Sequence, residues 1–239
     1  MTAATAAVEL LAGFSTCDIA DAATKLSLTV HIPNMCMRSP APFSPSTATT
    51  RISGPAHTVQ FVRASDTNAP RRPAGSPHHV DIAASGSVIV ISTPRDTPNA
   101  VWGGLMSARA NHVGCQGVVV DGRVRDMREH WDIGIPVFSS CGQSTMGAGP
   151  LTRVASVGEP ITLGEDAGYP VVVRQGDMIV ADVDGVVCIP AEKCADVARV
   201  AAEGVAIDAR CMKDIREGRG IGETFAEHRG KNKPAEVRA

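Results

Sequence analysis

Apolar residues recur at helical spacing over 4–12 and again over 17–27, the second stretch with Ile19, Ala22, Ala23 and Leu26 on one side and Ser15 or Thr16 placed to cap it. Residues 31–50 are rich in Pro, Ser and Thr and read as loop, after which Gly54-Pro55 opens a strand over 52–62. From Val80 the pattern predicts a short helix to Ala84, then strand 88–92, helix 101–113, strand 117–121, a helix from Arg125, and strand 136–139. Helix and strand alternating at that spacing imply a parallel, βαβ-like core. Beyond Cys141 the texture changes to Gly-rich turns and short apolar runs at 154–157, 161–163, 171–174, 178–182 and 186–189, which predict antiparallel strands. A long helix over 190–217 follows, with Pro190 at its entrance, Cys194, Val197, Ala201 and Val205 as one stripe, and Gly218 as its stop.

No internal repeat and no interdomain linker interrupts this order, so the fold class is α/β: a single domain with a mixed βαβ core, short antiparallel strands and a long C-terminal helix. The domain is expected over 1–228, with a flexible polar tail over 229–239. Segment 65–79, with three Pro, two Arg and a Gly, reads as a mobile surface insertion.

Composition narrows the function classes. With 44% hydrophobic and 20% charged residues among 239, the chain has ordinary globular usage. Aromatics are only 3%, so Ala, Val, Ile and Leu must fill the core, and no platform for stacking nucleic-acid bases is in sight. The balance of 23 basic against 25 acidic residues, a net charge of -2, gives no electrostatic footprint for a polyphosphate backbone, so nucleic acid is not an expected partner. Apolar runs fall far short of the roughly 18 residues that suggest a membrane span, and no membrane association is expected. The Ala-rich start lacks a basic segment and contains Glu9, so it reads as a helix and not as a secretion signal. The seven cysteines are an odd number without a C-x-x-C pair; they read as small core hydrophobes in a reducing, cytoplasmic compartment.

The segment that carries chemistry runs from Trp102-Gly103-Gly104-Leu105-Met106 through Gly117-Val-Val-Val-Asp121-Gly122 to Arg125-Asp126 and Glu129. Gly103 and Gly104 stand where a helix begins, and backbone amides without side chains there make an anion site. Arg125 and Asp126 come just past a strand end, where open α/β sheets place their ligands. A guanidinium offers a planar fork to a carboxylate or keto oxygen, and Asp126 offers a hard oxygen to a divalent cation. The same spacing has a structural reading: Asp126 followed by Glu129 fits a capping box, and Arg125 fits a surface ion pair.

Gly104, twenty residues, Arg125-Asp126, two more and Glu129 reproduce the G-x20-R-D-x2-E/D pattern of the RraA-like family. That family includes the 4-hydroxy-4-methyl-2-oxoglutarate/4-carboxy-4-hydroxy-2-oxoadipate aldolases. Gly54-Pro55-Ala56, Gly134-Ile-Pro-Val-Phe138 and Ala181-Asp182-Val183-Asp184-Gly185-Val186 are similar to it as well, and the resemblance covers roughly residues 15–220. It implies a swivelling β/β/α fold and a class II pyruvate aldolase that cleaves a 4-hydroxy-2-oxo diacid to pyruvate and a second oxo acid, with oxaloacetate decarboxylation as a side activity. Asp126 and Glu129 then hold Mg²⁺ or Mn²⁺, and Arg125 contacts the 2-keto oxygen and carboxylate. Backbone amides at Gly104, Leu105 and Met106 take the carboxylate of this small 2-oxo acid. A ring-shaped homotrimer, or a hexamer built as a dimer of trimers, is implied too. The alternative is a regulatory protein of the RraA branch, non-catalytic and acting by protein-protein contact; that branch tends to lack the acid that stands here as Glu129.

Two departures are visible. Some relatives carry Asp or Glu where this chain has Gly104, which leaves Glu129 or a hydroxide on the metal as the general base. Gln175 stands where the family often has Pro. Elsewhere, Gly142-Gln-Ser-Thr-Met-Gly-Ala-Gly149 lacks the Lys of a phosphate loop and reads as a plain connection, and His78-His79 beside Asp81 reads as a solvated loop. His112 and His130 are expected as ordinary helix residues, which argues against zinc.

Overall fold

The computed structural model describes residues 3–230. Two helices, α1 (Ala3–Leu11) and α2 (Thr16–Lys25), open the chain, followed by β1 (His31–Ile32), β2 (Cys36–Ser39) and the long β3 (Ile52–Arg63). The α/β core follows as β4 (Val88–Ser92), β5 (Ala100–Trp102), α3 (Gly104–Val113), β6 (Gly117–Asp121), β7 (Arg123–Val124), α4 (Met127–Ile133) and β8 (Val137–Ser139). Then come β9 (Thr152–Val157), β10 (Ile161–Leu163), β11 (Val171–Val173), β12 (Met178–Asp182) and β13 (Gly185–Ile189), and finally α5 (Cys194–Arg216) and α6 (Ile221–His228).

Strands β3, β4, β6 and β8 run parallel, with antiparallel β2 on the outer edge; on the other side β3 is joined antiparallel by β12, which continues to β13 and β1. The mixed sheet expected from the alternation is therefore present. Its strands read as continuous apolar runs because both faces are covered. In β4, Ile89 and Ile91 pack with Val118, Val120, Trp102 and Ala110 on the α3 side, whereas Val88 and Val90 pack with Leu163, Val171 and Val173 of the β10–β11 hairpin. A third cluster seats Leu11, Ile19, Ala22 and Val197 of the N-terminal helices and α5 on Met178, Val180, Val187 and Ile189. Each fully buried side chain of this size contributes about 1.5–3 kcal/mol, and aliphatic residues make up most of the core, with Trp102 and Phe138 as its largest fully buried side chains.

Ser15 caps α2 in a full capping box: its Oγ accepts from the Asp18 amide, and Asp18 Oδ2 accepts from the Ser15 amide at 2.9 Å. Thr16, the other candidate cap, instead ties α2 to the sheet by donating its amide and hydroxyl to the buried Asp182.

Several expectations change in detail. Loop 31–50 contains β1 and β2, which the Pro and Ser content hides. No helix forms over 80–84, where the chain makes turns. The helix expected from Val101 starts at Gly104, because Ala100–Trp102 pair with the chain after β6. Val205 is 39% exposed, so the buried stripe of α5 breaks after Ala201 and returns only at Cys211. A further helix, α6, lies past the Gly218 stop and packs back on α5. In the expected tail, Arg229 closes α6 and donates to Asp208, while residues 231–239 lie outside the described residues.

Candidate active site

Strands β5 and β7 form a two-stranded parallel ribbon beyond the ends of β4 and β6. The Arg125 amide donates to the Trp102 carbonyl at 3.0 Å, which sets the turn after β7 directly beside the Gly103–Gly104 entrance of α3. This small ribbon, and not the main sheet, brings the start of α3 and Arg125 together.

Asp126 adopts left-handed backbone angles, φ 61° and ψ 43°, unusual for a residue with a side chain. The capping-box reading of Asp126 and Glu129 does not hold: Asp126 occupies the N-cap position of α4, but its side chain makes no cap bond. Its left-handed backbone turns the carboxylate outward, where Oδ2 accepts from the Gly104 amide at 3.1 Å and lies 3.3 Å from Arg125 Nε. Among the described residues no partner engages Oδ1. The Arg125 side chain is 43% exposed and Asp126 is its sole ion-pair partner among the described residues.

The two glycines are required by close approach. A Cβ on Gly103 would stand 2.6 Å from Asp126 Oδ2, and one on Gly104 would stand 1.6 Å from Glu129 Oε2. Both carboxylates thus press against bare backbone. Glu129 fills the volume where a side chain at position 104 would begin, so the missing acid at 104 and the acid present at 129 are two sides of one packing choice. Of the three amides suggested for a carboxylate, that of Gly104 goes to Asp126 and that of Met106 to the Gly103 carbonyl. The Leu105 amide has no partner among the described residues, and Leu105 is 78% exposed. Two hard carboxylates with few other protein donors fit Mg²⁺ or Mn²⁺, which keep much of their water.

Gly103, Leu105, Met106, Arg125 and Asp126 open onto a cavity of about 360 Å³, whereas Gly104 and Glu129 are not part of its lining. Trp102 lines it too, and the sequence alone does not reveal its other walls: Phe61, His79, Gly147 and Arg153. The Gly-rich connection 142–149 wraps the ribbon, with the Ser144 amide donating to the Val124 carbonyl and the Ala100 amide to the Met146 carbonyl. Gly147 there lies against the Arg125 guanidinium. His78-His79 is not simply a solvated loop, because His79 is 4% exposed and packs edge-on to Phe61. Segment 65–79 has no helix or strand, yet it is anchored: the Arg153 guanidinium donates to the carbonyls of Asp66, Ala69 and Pro70.

Polar strain gathers around this cavity. Among the described residues, the buried side-chain nitrogens and oxygens without a partner belong to His79, Asn99, His130 and Arg153. His79 and Arg153 line the cavity; Asn99 is bonded to Thr152 of its wall, and His130 sits behind the Asp126 turn, donating its amide to the Asp126 carbonyl. Burial lowers the pKa of His130, opposed by the Arg125 backbone and the Asp126 carboxylate. His112 is an exposed residue in the last turn of α3.

A second acidic cluster, Asp214, Glu227 and His228, lies between α5 and α6. Arg219 pairs with both Asp214 and Glu227, so a guanidinium already supplies the positive charge.

Comparison with known proteins adds to this geometry. Residues 16–188 match the family description RraA-like, Aldolase/RraA. A Halalkalibacterium halodurans protein named "Putative 4-hydroxy-4-methyl-2-oxoglutarate aldolase" is 36% identical over 140 residues, 59% of this chain and 60% of that protein. The chain thus matches about 60% of that curated relative's length. A crystal structure of an uncharacterized protein from Pseudomonas syringae superposes with a TM-score of 0.73 at 26% identity, covering 92% of this chain and 97% of that one. RraAS2 of Streptomyces coelicolor, described as an unusual member of the RNase ES inhibitor RraA protein family, shares the fold with a TM-score of 0.68 at 20% identity, covering 89% and 96%.

Proposed function

The chain belongs to the RraA-like family, Aldolase/RraA, and on that premise we propose that it is a divalent-metal-dependent pyruvate aldolase acting on a 4-hydroxy-2-oxo diacid. One observation carries the reading: the left-handed Asp126, which leaves a carboxylate oxygen unpartnered beside a half-exposed Arg125 on the rim of a cavity. A purely structural turn would have used Asp126 as a cap and Arg125 as part of a closed ion pair. The name of the Halalkalibacterium relative supports the same chemistry.

In this reading Arg125 donates its planar fork to the 2-keto oxygen and carboxylate of the substrate, aided by the free Leu105 amide at the positive end of α3. Glu129 accepts the proton of the 4-hydroxyl. The C4–O bond becomes a carbonyl as C3–C4 breaks, and the electron pair of that bond passes into the enolate of pyruvate. Arg125 stands where the enolate charge grows, and return of a proton to C3 completes pyruvate. A divalent cation held by Asp126, with Glu129 in support, would supply a Lewis acid for the same oxygen. Oxaloacetate decarboxylation passes through the same enolate. Assembly as a homotrimer or a dimer of trimers belongs to the reading, and light scattering that gives a monomer mass would remove that part.

The test is pyruvate release from 4-hydroxy-4-methyl-2-oxoglutarate and from oxaloacetate, with Mg²⁺ or Mn²⁺ and with EDTA. Metal-dependent release from both is expected. Release from neither, or full activity in Asp126→Ala, would overturn the proposal, and capture of a protein partner by an inactive chain would favour the regulatory alternative.

A further inference from the structure

Arg125 is the group on which the proposed chemistry turns, yet its side chain is held by little. Its Nε lies 3.3 Å from the Asp126 carboxylate, and among the described residues neither Nη1 nor Nη2 has an acceptor. The side chain is 43% exposed and borders two cavities, the one of about 360 Å³ and another of about 320 Å³ walled by Met127 and the polar run Gln143, Ser144 and Thr145. A long guanidinium with that much room needs a seat if its fork is to point one way. Two glycines provide it. A Cβ on Gly103 would stand 3.2 Å from Arg125 Nε and 3.4 Å from Cγ, and one on Gly147 would stand 2.9 Å from Nη1, 3.4 Å from Cζ and 3.8 Å from Nη2. Gly103 thus meets the inner part of the side chain, and Gly147 the outer end that offers the fork. Gly147 is itself tied in place. Before it, the Met146 carbonyl accepts from the Ala100 amide at 2.8 Å, and the Met146 amide donates to Ser144 Oγ at 3.2 Å. After it, the Ala148 carbonyl accepts from the amides of Leu151 and Thr152 at 3.2 and 3.0 Å. The Gly147 backbone lies outside the left-handed region, so conformation does not demand glycine there, whereas the space beside Arg125 does.

We propose that Gly147 is a positioning residue: its bare α-carbon is the seat for the outer end of the Arg125 guanidinium, and it aims the fork at the 2-keto oxygen and carboxylate of the substrate. The inference rests on the aldolase reading and deepens it. The effect belongs to position 147 and not to glycine content, because a Cβ on Gly149, two residues on in the same connection, would have nothing within 4 Å. The Gly-rich connection 142–149, a plain link in the sequence, is then the backing of the site.

The variant Gly147→Ala puts a methyl group against Nη1. With the chain tied on both sides of position 147, the flexible guanidinium gives way. For pyruvate release from 4-hydroxy-4-methyl-2-oxoglutarate, kcat/KM should fall on the order of tenfold or more, as misplacement of a substrate-orienting group does, while Tm holds. Gly149→Ala should match wild type. Arg125→Lys has neither Cζ nor Nη atoms for the methyl to meet, so on that background Gly147→Ala should cost little more, and the two losses should not add. A readout free of activity is the side-chain Nε–H resonance of Arg125 in ¹H–¹⁵N spectra, identified by its absence from Arg125→Lys. It should move in Gly147→Ala and stay in place in Gly149→Ala. An unmoved resonance in Gly147→Ala, an equal loss in Gly149→Ala, or a loss that repeats in full on the Arg125→Lys background would overturn the proposal. If wild type releases no pyruvate, the aldolase reading fails separately, and the resonance alone decides this one.

Discussion

Arg125 with Asp126, Glu129 and His130, and Arg219 with Asp214, Glu227 and His228 between α5 and α6, each set an arginine among two acids and a histidine, and the two places use them in opposite ways. At the C-terminal cluster every charge is consumed. Arg219 bridges Asp214 and Glu227, His228 Nε2 meets Asp214 at 2.8 Å, and the carboxyls of both acids are held below their usual range, Asp214 by His228 and then Arg219, Glu227 by Arg219. At the turn after β7, among the described residues, Asp126 keeps one oxygen unpartnered, Glu129 accepts no hydrogen bond, and both buried ring nitrogens of His130 lack a partner. Residue type therefore does not separate a site from an ion-pair network; what separates them is whether the fold has already supplied the partner.

The largest expected effect bears on that contrast directly. Asp126→Asn keeps a residue that tolerates the left-handed backbone and keeps an acceptor for the Gly104 amide, while removing the charge. Pyruvate release should fall on the order of a hundredfold or more, with little change in Tm. The upward Tm shift on adding Mn²⁺ should vanish as well, whereas Asp214→Asn should keep it. Loss of the Mn²⁺ shift in Asp214→Asn alone would place the metal at the wrong cluster.

Gly104→Ala tests the packing side. The added methyl overlaps Glu129 Oε2 and also stands 2.7 Å from Glu129 Cβ, so rotating the carboxylate away is not enough and α4 must shift from α3. Overpacking of this kind costs about 1–3 kcal/mol, a drop of several degrees in Tm for a chain of this size, and activity should fall as Glu129 moves. An unchanged Tm with full activity would mean that the two helices do not need their close approach.

Unsatisfied groups at the site should also appear in the acid stability. His79 has a folded pKa of about 3, against about 6.5 when unfolded, so below pH 6.5 the unfolded chain binds a proton that the folded chain refuses. Stability is unaffected above that pH and falls as pH drops through the window between the two values, by about 2 kcal/mol at pH 5. His79→Phe should flatten the Tm profile between pH 6.5 and 4, and a profile parallel to wild type would refute the assignment.

The smallest effect belongs to the satisfied cluster. Arg219→Ala should lower Tm only slightly at neutral pH and leave pyruvate release unchanged, since exposed ion pairs are weak. Because the Asp214 and Glu227 pKa values are depressed, that difference exists above their unfolded values and should close as pH falls through the folded ones. A large activity loss in this variant would break the contrast between the two regions.

Much of this was readable in the chain. Val88–Ile91 and Val118–Val120 are valine and isoleucine without alternation, the mark of strands covered on both faces, and they lie in β4 and β6. Gly103-Gly104 and Arg125-Asp126-Glu129 were readable as candidate chemistry because small residues at a helix start and charges at a strand end are local signals. His79, Arg153, Phe61 and Gly147 were not, since each reaches the cavity from a different element and nothing in its neighbours' spacing marks it. The 65–79 segment read as mobile because its anchor, Arg153, is some 80 residues away in sequence.

The alternation of helix and strand, the mainly aliphatic core and the presence of a reactive pattern could be read along the chain, because these depend on period, composition and short spacing. The tertiary structure alone decided that Asp126 turns its carboxylate outward instead of capping α4, that Glu129 occupies the space above Gly104, and that His79 borders the same cavity as Arg125. Those facts turn on which atoms from distant segments come within a few ångströms of one another, and on which of them are left without a partner.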